Sequence, residues 1–125
     1  MKKIIPFLAL LVFTTYACSD DDDNATQPCT NEVVPAIKVL ITNARTSASL
    51  GDGLTVTAVD GSYIDELDYA SAEGYFFGAN ERVGTYIVTV TGEGYEPYAS
   101  APVTVTEDEC HVITQIVNVA LQPAE

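Results

Sequence analysis

From Val33 onward, apolar and polar residues alternate at every second position, in short runs broken by turn residues. A period of two sends successive side chains to opposite faces of a strand, so such a chain folds as sheets with one buried face. Ile37, Val39 and Ile41 alternate with Lys38, Leu40 and Thr42. Leu54, Val56 and Ala58 alternate with Thr55, Thr57 and Val59. Tyr86, Val88 and Val90 alternate with Ile87, Thr89 and Thr91. Residues 63–69 read as a short strand or edge segment. Residues 102–106 read as a short strand opened by Pro102. Residues 110–122 read as a long final strand with Ile113, Val117, Val119 and Leu121 on one face. Asp60-Gly61 and Gly92-Glu93-Gly94 are turn signals, and 43–53 and 71–82 read as loops. No stretch sustains a helical period. About seven short strands predict an all-β fold, a single Ig-like sandwich. The chain has no tryptophan and lacks the antibody-type cysteine spacing, so it is not a typical antibody domain.

The first residues carry a different signal. Lys2 and Lys3 precede an apolar stretch, 4–13, interrupted only by Pro6. It is shorter than the roughly 20 residues that a membrane-spanning helix needs. A basic start, a short apolar run and small residues before a cut predict a secretory signal peptide over 1–17. The cysteine that follows resembles the lipobox of bacterial lipoproteins, which implies that Cys18 carries a diacylglycerol thioether and is the membrane attachment. Residues 18–28 read as an acidic tether, too polar to bury a core. Ser19, Asp20, Asp21, Asp22 and Asp23 have two readings. They are a solvated spacer, or they resemble the export signal of surface-exposed lipoproteins in Bacteroidetes-type bacteria. The first leaves the protein facing the periplasm; the second, which is favoured, puts it on the cell surface, at the outer membrane in both cases. Removal of 1–17 leaves Lys38, Arg45 and Arg82 against 18 acidic residues. Such a chain repels nucleic-acid phosphates and anionic lipid, so membrane attachment falls to the lipid.

Cys29 and Cys110 remain as an even pair in an exported chain, where disulfides persist. Unpaired thiols are the other reading. A bridge would close a loop of roughly 80 residues, worth up to about 4–5 kcal/mol in the chain-entropy model. It would also bring the starts of the first and last strands to one end of the sandwich, where they would run parallel.

The run Gly84-Thr85-Tyr86-Ile87-Val88-Thr89-Val90, followed by Gly94-Tyr95-Glu96-Pro97-Tyr98, resembles the core of carboxypeptidase regulatory-like domains. The opening strands around Ile37–Ile41 and Leu54–Gly61 fall where that family places its first two, and 109–121 is similar to the ending of bacterial lipoprotein members. The resemblance covers about 33–122. It implies a seven-stranded, transthyretin-like sandwich over 29–125 that accompanies other proteins and is not itself a peptidase. The stretch 45–53 departs from the family's usual turn. Related sandwiches also carry a Lys–Asn isopeptide bond between first and last strands. Lys38 and Asn118 stand at suitable depths, but 88–91 lacks the carboxylate that the reaction needs.

Catalytic chemistry finds little support. Zinc sites need several His or Cys ligands, and this chain has one histidine, His111. No nucleophile elbow or phosphate loop is present. Asp65, Glu66 and Asp68 read as a solvated edge. No cofactor, no metal and no enzymatic activity are expected. Tyr75, Phe76 and Phe77, between Gly74 and Gly78, form a candidate binding tip on a loop; the competing reading has Phe76 or Phe77 plugging the core. The expected function is a binding module for protein, peptide or glycan, with a structural spacer as the alternative.

Overall fold

The computed structural model describes residues 29–124. The expected signal peptide over 1–17, the expected lipid site Cys18 and the acidic run Ser19, Asp20, Asp21, Asp22 and Asp23 lie outside the described residues. The described chain is all-β, without a helix. Its strands are β1 (Pro35–Asn43), β2 (Ser49–Leu50), β3 (Leu54–Asp60), β4 (Tyr63–Glu66), β5 (Asp68–Ala70), β6 (Tyr75–Asn80), β7 (Gly84–Gly92), β8 (Tyr98–Ala99), β9 (Val103–Val105) and β10 (Gln115–Leu121). They form two sheets in a sandwich-like arrangement. Sheet A has the order β10-β1-β6-β5, with β2 also on β1. Sheet B has the order β4-β3-β7-β8, with β9 also on β7.

The alternation decides the core. Ile37, Val39 and Ile41 of β1 point inward with Phe76, Val119 and Leu121, and meet Val56, Ala58, Tyr86, Val88 and Val90 of sheet B. Full burial of a side chain such as Ile37 contributes about 1.5–3 kcal/mol. No polar or charged residue among the described ones is fully buried.

The disulfide reading and its topological consequence hold. Cys29 and Cys110 are at disulfide distance, with Cα atoms 5.2 Å apart. Just beyond them β1 and β10 run parallel and adjacent, with Ile37 opposite Gln115 and Asn43 opposite Leu121. The other pairs are antiparallel.

Several local expectations are corrected. The stretch 71–82 is not a loop, because it contains β6, paired with β1 on one side and β5 on the other. Tyr75, Phe76 and Phe77 therefore lie in an interior strand and not on a loop tip. Glycine in the run misled the reading: Gly78 is there because sheet packing demands it, since a Cβ would stand 2.4 Å from Leu67 Cδ2. The segment 63–69 divides at buried Leu67, leaving β4 in sheet B and β5 in sheet A. The last strand starts at Gln115, not Cys110. The lead-in turns through an Asp108 side chain that accepts the N–H groups of Cys110 and His111, and this breaks the parity. Val112 is buried as a result and Ile113 is exposed. Asp60-Gly61 does make a turn: Gly61, at φ 62°, is the first central residue of a two-residue hairpin between β3 and β4, the position where a II′ turn needs glycine.

Candidate binding face

The outer face of sheet A is built by the residues between the inward ones. On β1 these are Lys38 and Leu40; on β6, Tyr75 and Phe77; on β10, Ile116 and Asn118. Strand register sets them in rows. Ile116 is opposite Lys38, Lys38 is opposite Phe77, and Phe77 is opposite Asp68. Asn118 is opposite Leu40, and Tyr75 is opposite Ala70. Ile116 is 60% exposed and Leu40 37%. Tyr75 and Phe77 are half-buried and meet edge to face, with ring centroids 6.2 Å apart. Lys38 Nζ lies 4.6 Å from the Tyr75 ring centroid, within cation–π range. The Lys38 ammonium is therefore engaged with Tyr75, and its register partner on β10 is Ile116, not Asn118.

Of the three aromatic residues singled out in the sequence, the fold brings two to this face. Phe76 faces inward, buried, and packs on Tyr69 with centroids 4.8 Å apart. Lys38, Leu40 and Ile116 were missed as partners of Tyr75 and Phe77. The signal was present: Leu40 and Ile116 are apolar residues at positions whose parity points outward, and such residues need an explanation when they cluster.

The disulfide end of the sandwich is a different kind of cluster. Glu81 accepts N–H groups from Val34 at 3.0 Å and Val112 at 3.4 Å, and meets His111 Nδ1 at 2.6 Å. His111 Nε2 is 3.0 Å from the Thr30 hydroxyl. An ionised carboxylate only accepts, so Nδ1 donates to Glu81, and in the neutral ring Nε2 accepts from Thr30. Partial burial raises the Glu81 carboxyl, but the Val34, His111 and Val112 hydrogen bonds outweigh it and hold the pKa below its ordinary value. Hydrogen bonds from the His111 and Cys110 N–H groups do the same for Asp108.

The order hydroxyl, imidazole, carboxylate is that of a hydrolase relay. The backbone N–H groups of Cys110 and His111, beside the ring, are donated to Asp108. The adjoining depression is lined by Glu107, Asp108, Glu109 and Cys110, a setting that repels developing negative charge. The cluster is a clasp that ties the lead-ins of β1 and β10 to the end of β6.

No family model and no curated protein matches this chain. Among the described residues, no group of three or more His, Cys, Asp or Glu side chains is arranged to hold a metal. Asp65 is occupied structurally: its Oδ2 accepts the Ala79 N–H at 2.7 Å, joining β4 of sheet B to β6 of sheet A.

Tyr86 anchors the opposite sheet. Its ring is fully buried, and its hydroxyl donates to the Arg82 carbonyl at 2.6 Å. This spacing of four residues is that of a tyrosine corner. The Arg82 guanidinium lies 3.8 Å from the Tyr63 ring centroid and pairs with Asp60 at 3.1 Å. Burial, then the Asp65 charge, raise the Tyr63 hydroxyl above its ordinary pKa.

Proposed function

We propose that this protein is a non-catalytic, lipid-anchored binding module displayed at the cell surface, with a sandwich of the carboxypeptidase regulatory-like kind. Cys18 carries the lipid, Ser19 to Asp23 direct export, and the partner is a protein, peptide or glycan. One observation carries the reading: Ile116, Leu40, Tyr75 and Phe77 share the outer face of sheet A. A spacer needs no such face, whereas aromatic rings with a polar handle are what recognition surfaces use. The donation of the Cys110 and His111 N–H groups to Asp108, beside an acidic depression, supports a non-catalytic role.

The test is photo-crosslinking on intact cells. A photoreactive residue replaces Leu40 on sheet A or, as the control, Thr55 on sheet B. Adducts from position 40 that are absent from position 55, and that vanish when Tyr75→Ala and Phe77→Ala are added, support a binding face. Equal labelling from both positions favours a spacer. Protease shaving of cells carrying the natural chain or Asp20→Ala through Asp23→Ala tests the surface location: the natural chain is cut and the variant is protected.

A further inference from the structure

The sheet edges are unequal. In sheet A, the β5 edge has three residues and begins with Asp68. In sheet B, β4 has four residues with Asp65 and Glu66, and β8 and β9 have two and three. Short, charged edges resist pairing with other chains. The remaining edge, β10, has seven residues, Gln115–Leu121, with neither a charge nor a proline. One side pairs with β1; no strand pairs with the other among the described residues. Ile116, Asn118 and Ala120 along it are exposed.

Both ends of this edge are acidic. Exposed Glu107 and Glu109 precede it. At its far end the Glu96 N–H donates to the Gln122 carbonyl and Tyr95 bridges to Pro123, which brings exposed Glu93 and Glu96 alongside. We propose that β10 is a docking edge for an extended segment of another protein, taken up by strand addition, with an uncharged centre and Lys or Arg at each end. Seven residues span about 23 Å, which sets the spacing of the two basic ends. Main-chain hydrogen bonds supply affinity and the flanking charges select the partner. A second copy of this chain is the wrong occupant. In either orientation its own carboxylates would meet those of the first, in a chain whose net charge is −13. The inference goes beyond the sheet A face and stands even if that face binds nothing.

The experiment uses the full-length chain and three synthetic peptides. The first has seven alternating valines and threonines between two pairs of lysines. The second has glutamates in place of the lysines, and the third has a central proline. Affinity is read by fluorescence anisotropy and the site by hydrogen exchange. The lysine-flanked peptide is expected to bind and to slow exchange across 115–121. The glutamate-flanked peptide is expected not to bind, and the proline peptide to bind at least about tenfold more weakly. Glu93→Gln, Glu96→Gln, Glu107→Gln and Glu109→Gln together should weaken binding about tenfold and flatten its salt dependence. Tyr75→Ala with Phe77→Ala should leave peptide binding unchanged, which separates this edge from the face. The proposal is overturned by lysine and glutamate peptides binding alike, by unchanged exchange over 115–121, by protection at β4 or β5 instead, or by concentration-dependent protection of β10 without peptide, the mark of self-pairing.

Discussion

The two sheets solve the same problem with different chemistry. Sheet A joins the chain's first and last strands side by side and pins them with the disulfide and the Glu81 clasp. Sheet B is antiparallel throughout, centred on β3 and β7 and locked by one tyrosine corner. Their outer faces differ as much. Sheet A shows Ile116, Leu40, Tyr75 and Phe77. Sheet B shows threonine ladders, Thr55 opposite Thr91 and Thr57 opposite Thr89, with the second pair joined through their hydroxyls, and beside them an aliphatic row in which Val59 lies between Ile64, 66% exposed, and Ile87. Threonine suits a strand because its branched carbon packs well while its hydroxyl stays wet. The outer faces thus differ in kind, with aromatic rings beside a lysine on sheet A and threonines with an aliphatic row on sheet B.

The sharpest way to break the contrast is to cut the pin. Cys110→Ser should cost up to about 4–5 kcal/mol in denaturant melts, and reductant should do the same to the natural chain. Hydrogen exchange should rise first in β1 and β10 and last in β3 and β7; a uniform rise would mean that the sheets do not differ in how they are closed. Sheet B has its own weak point. Tyr86→Phe leaves the Arg82 carbonyl without its donor and should cost about 1–2 kcal/mol, read by the urea midpoint at unchanged slope. An unaltered midpoint would remove the tyrosine corner from the account.

Acid should loosen the clasp end of sheet A. The Glu81 and Asp108 carboxyls both have folded pKa values below the ordinary ones. A depressed folded pKa favours the ionised group in the fold. Its stabilising effect is complete above the unfolded pKa of about 4 and disappears as pH falls through the lower folded value. The melting temperature should therefore fall from about pH 5 to about pH 3, and Glu81→Gln should flatten that dependence. A Glu81→Gln profile parallel to the natural one would sink this explanation. The smallest effect lies on the turn after β1. Ser47 is exposed at φ 67° and its N–H bonds the Asn43 carbonyl. Ser47→Gly should raise stability by about 0.5 kcal/mol, since glycine takes that conformation without strain; a lowered melting temperature would contradict it.

Much of the architecture was legible because alternation is a direct record of which face is buried. Ile37, Val39, Val56, Val88 and Val90 could be assigned inward from their spacing alone. The parallel pairing of β1 and β10 followed from two cysteines and strand direction. What alternation does not record is where glycine serves packing instead of a turn. Gly78 sits against Leu67, and together with Gly74 it disguised an interior strand as a loop. The side-chain cap at Asp108 also could not be seen, since an Asp two or three residues before an N–H is compatible with strand or turn. The candidate face was half legible: Tyr75 and Phe77 stood out as aromatic, but Lys38, Leu40 and Ile116 join them only through register between strands far apart in sequence.

The bond between Cys29 and Cys110, residues separated by 81 positions, has a consequence for how the chain is made. Sheet A cannot be completed until the last strand has left the machinery that delivers it, because β1 waits for a neighbour from the far end of the polypeptide. Such distant closure slows folding. Until then the edge of β1 that faces β10 has no strand partner. Formation of the bond then waits on an oxidant, a step that takes seconds to hours depending on the oxidant and any isomerase.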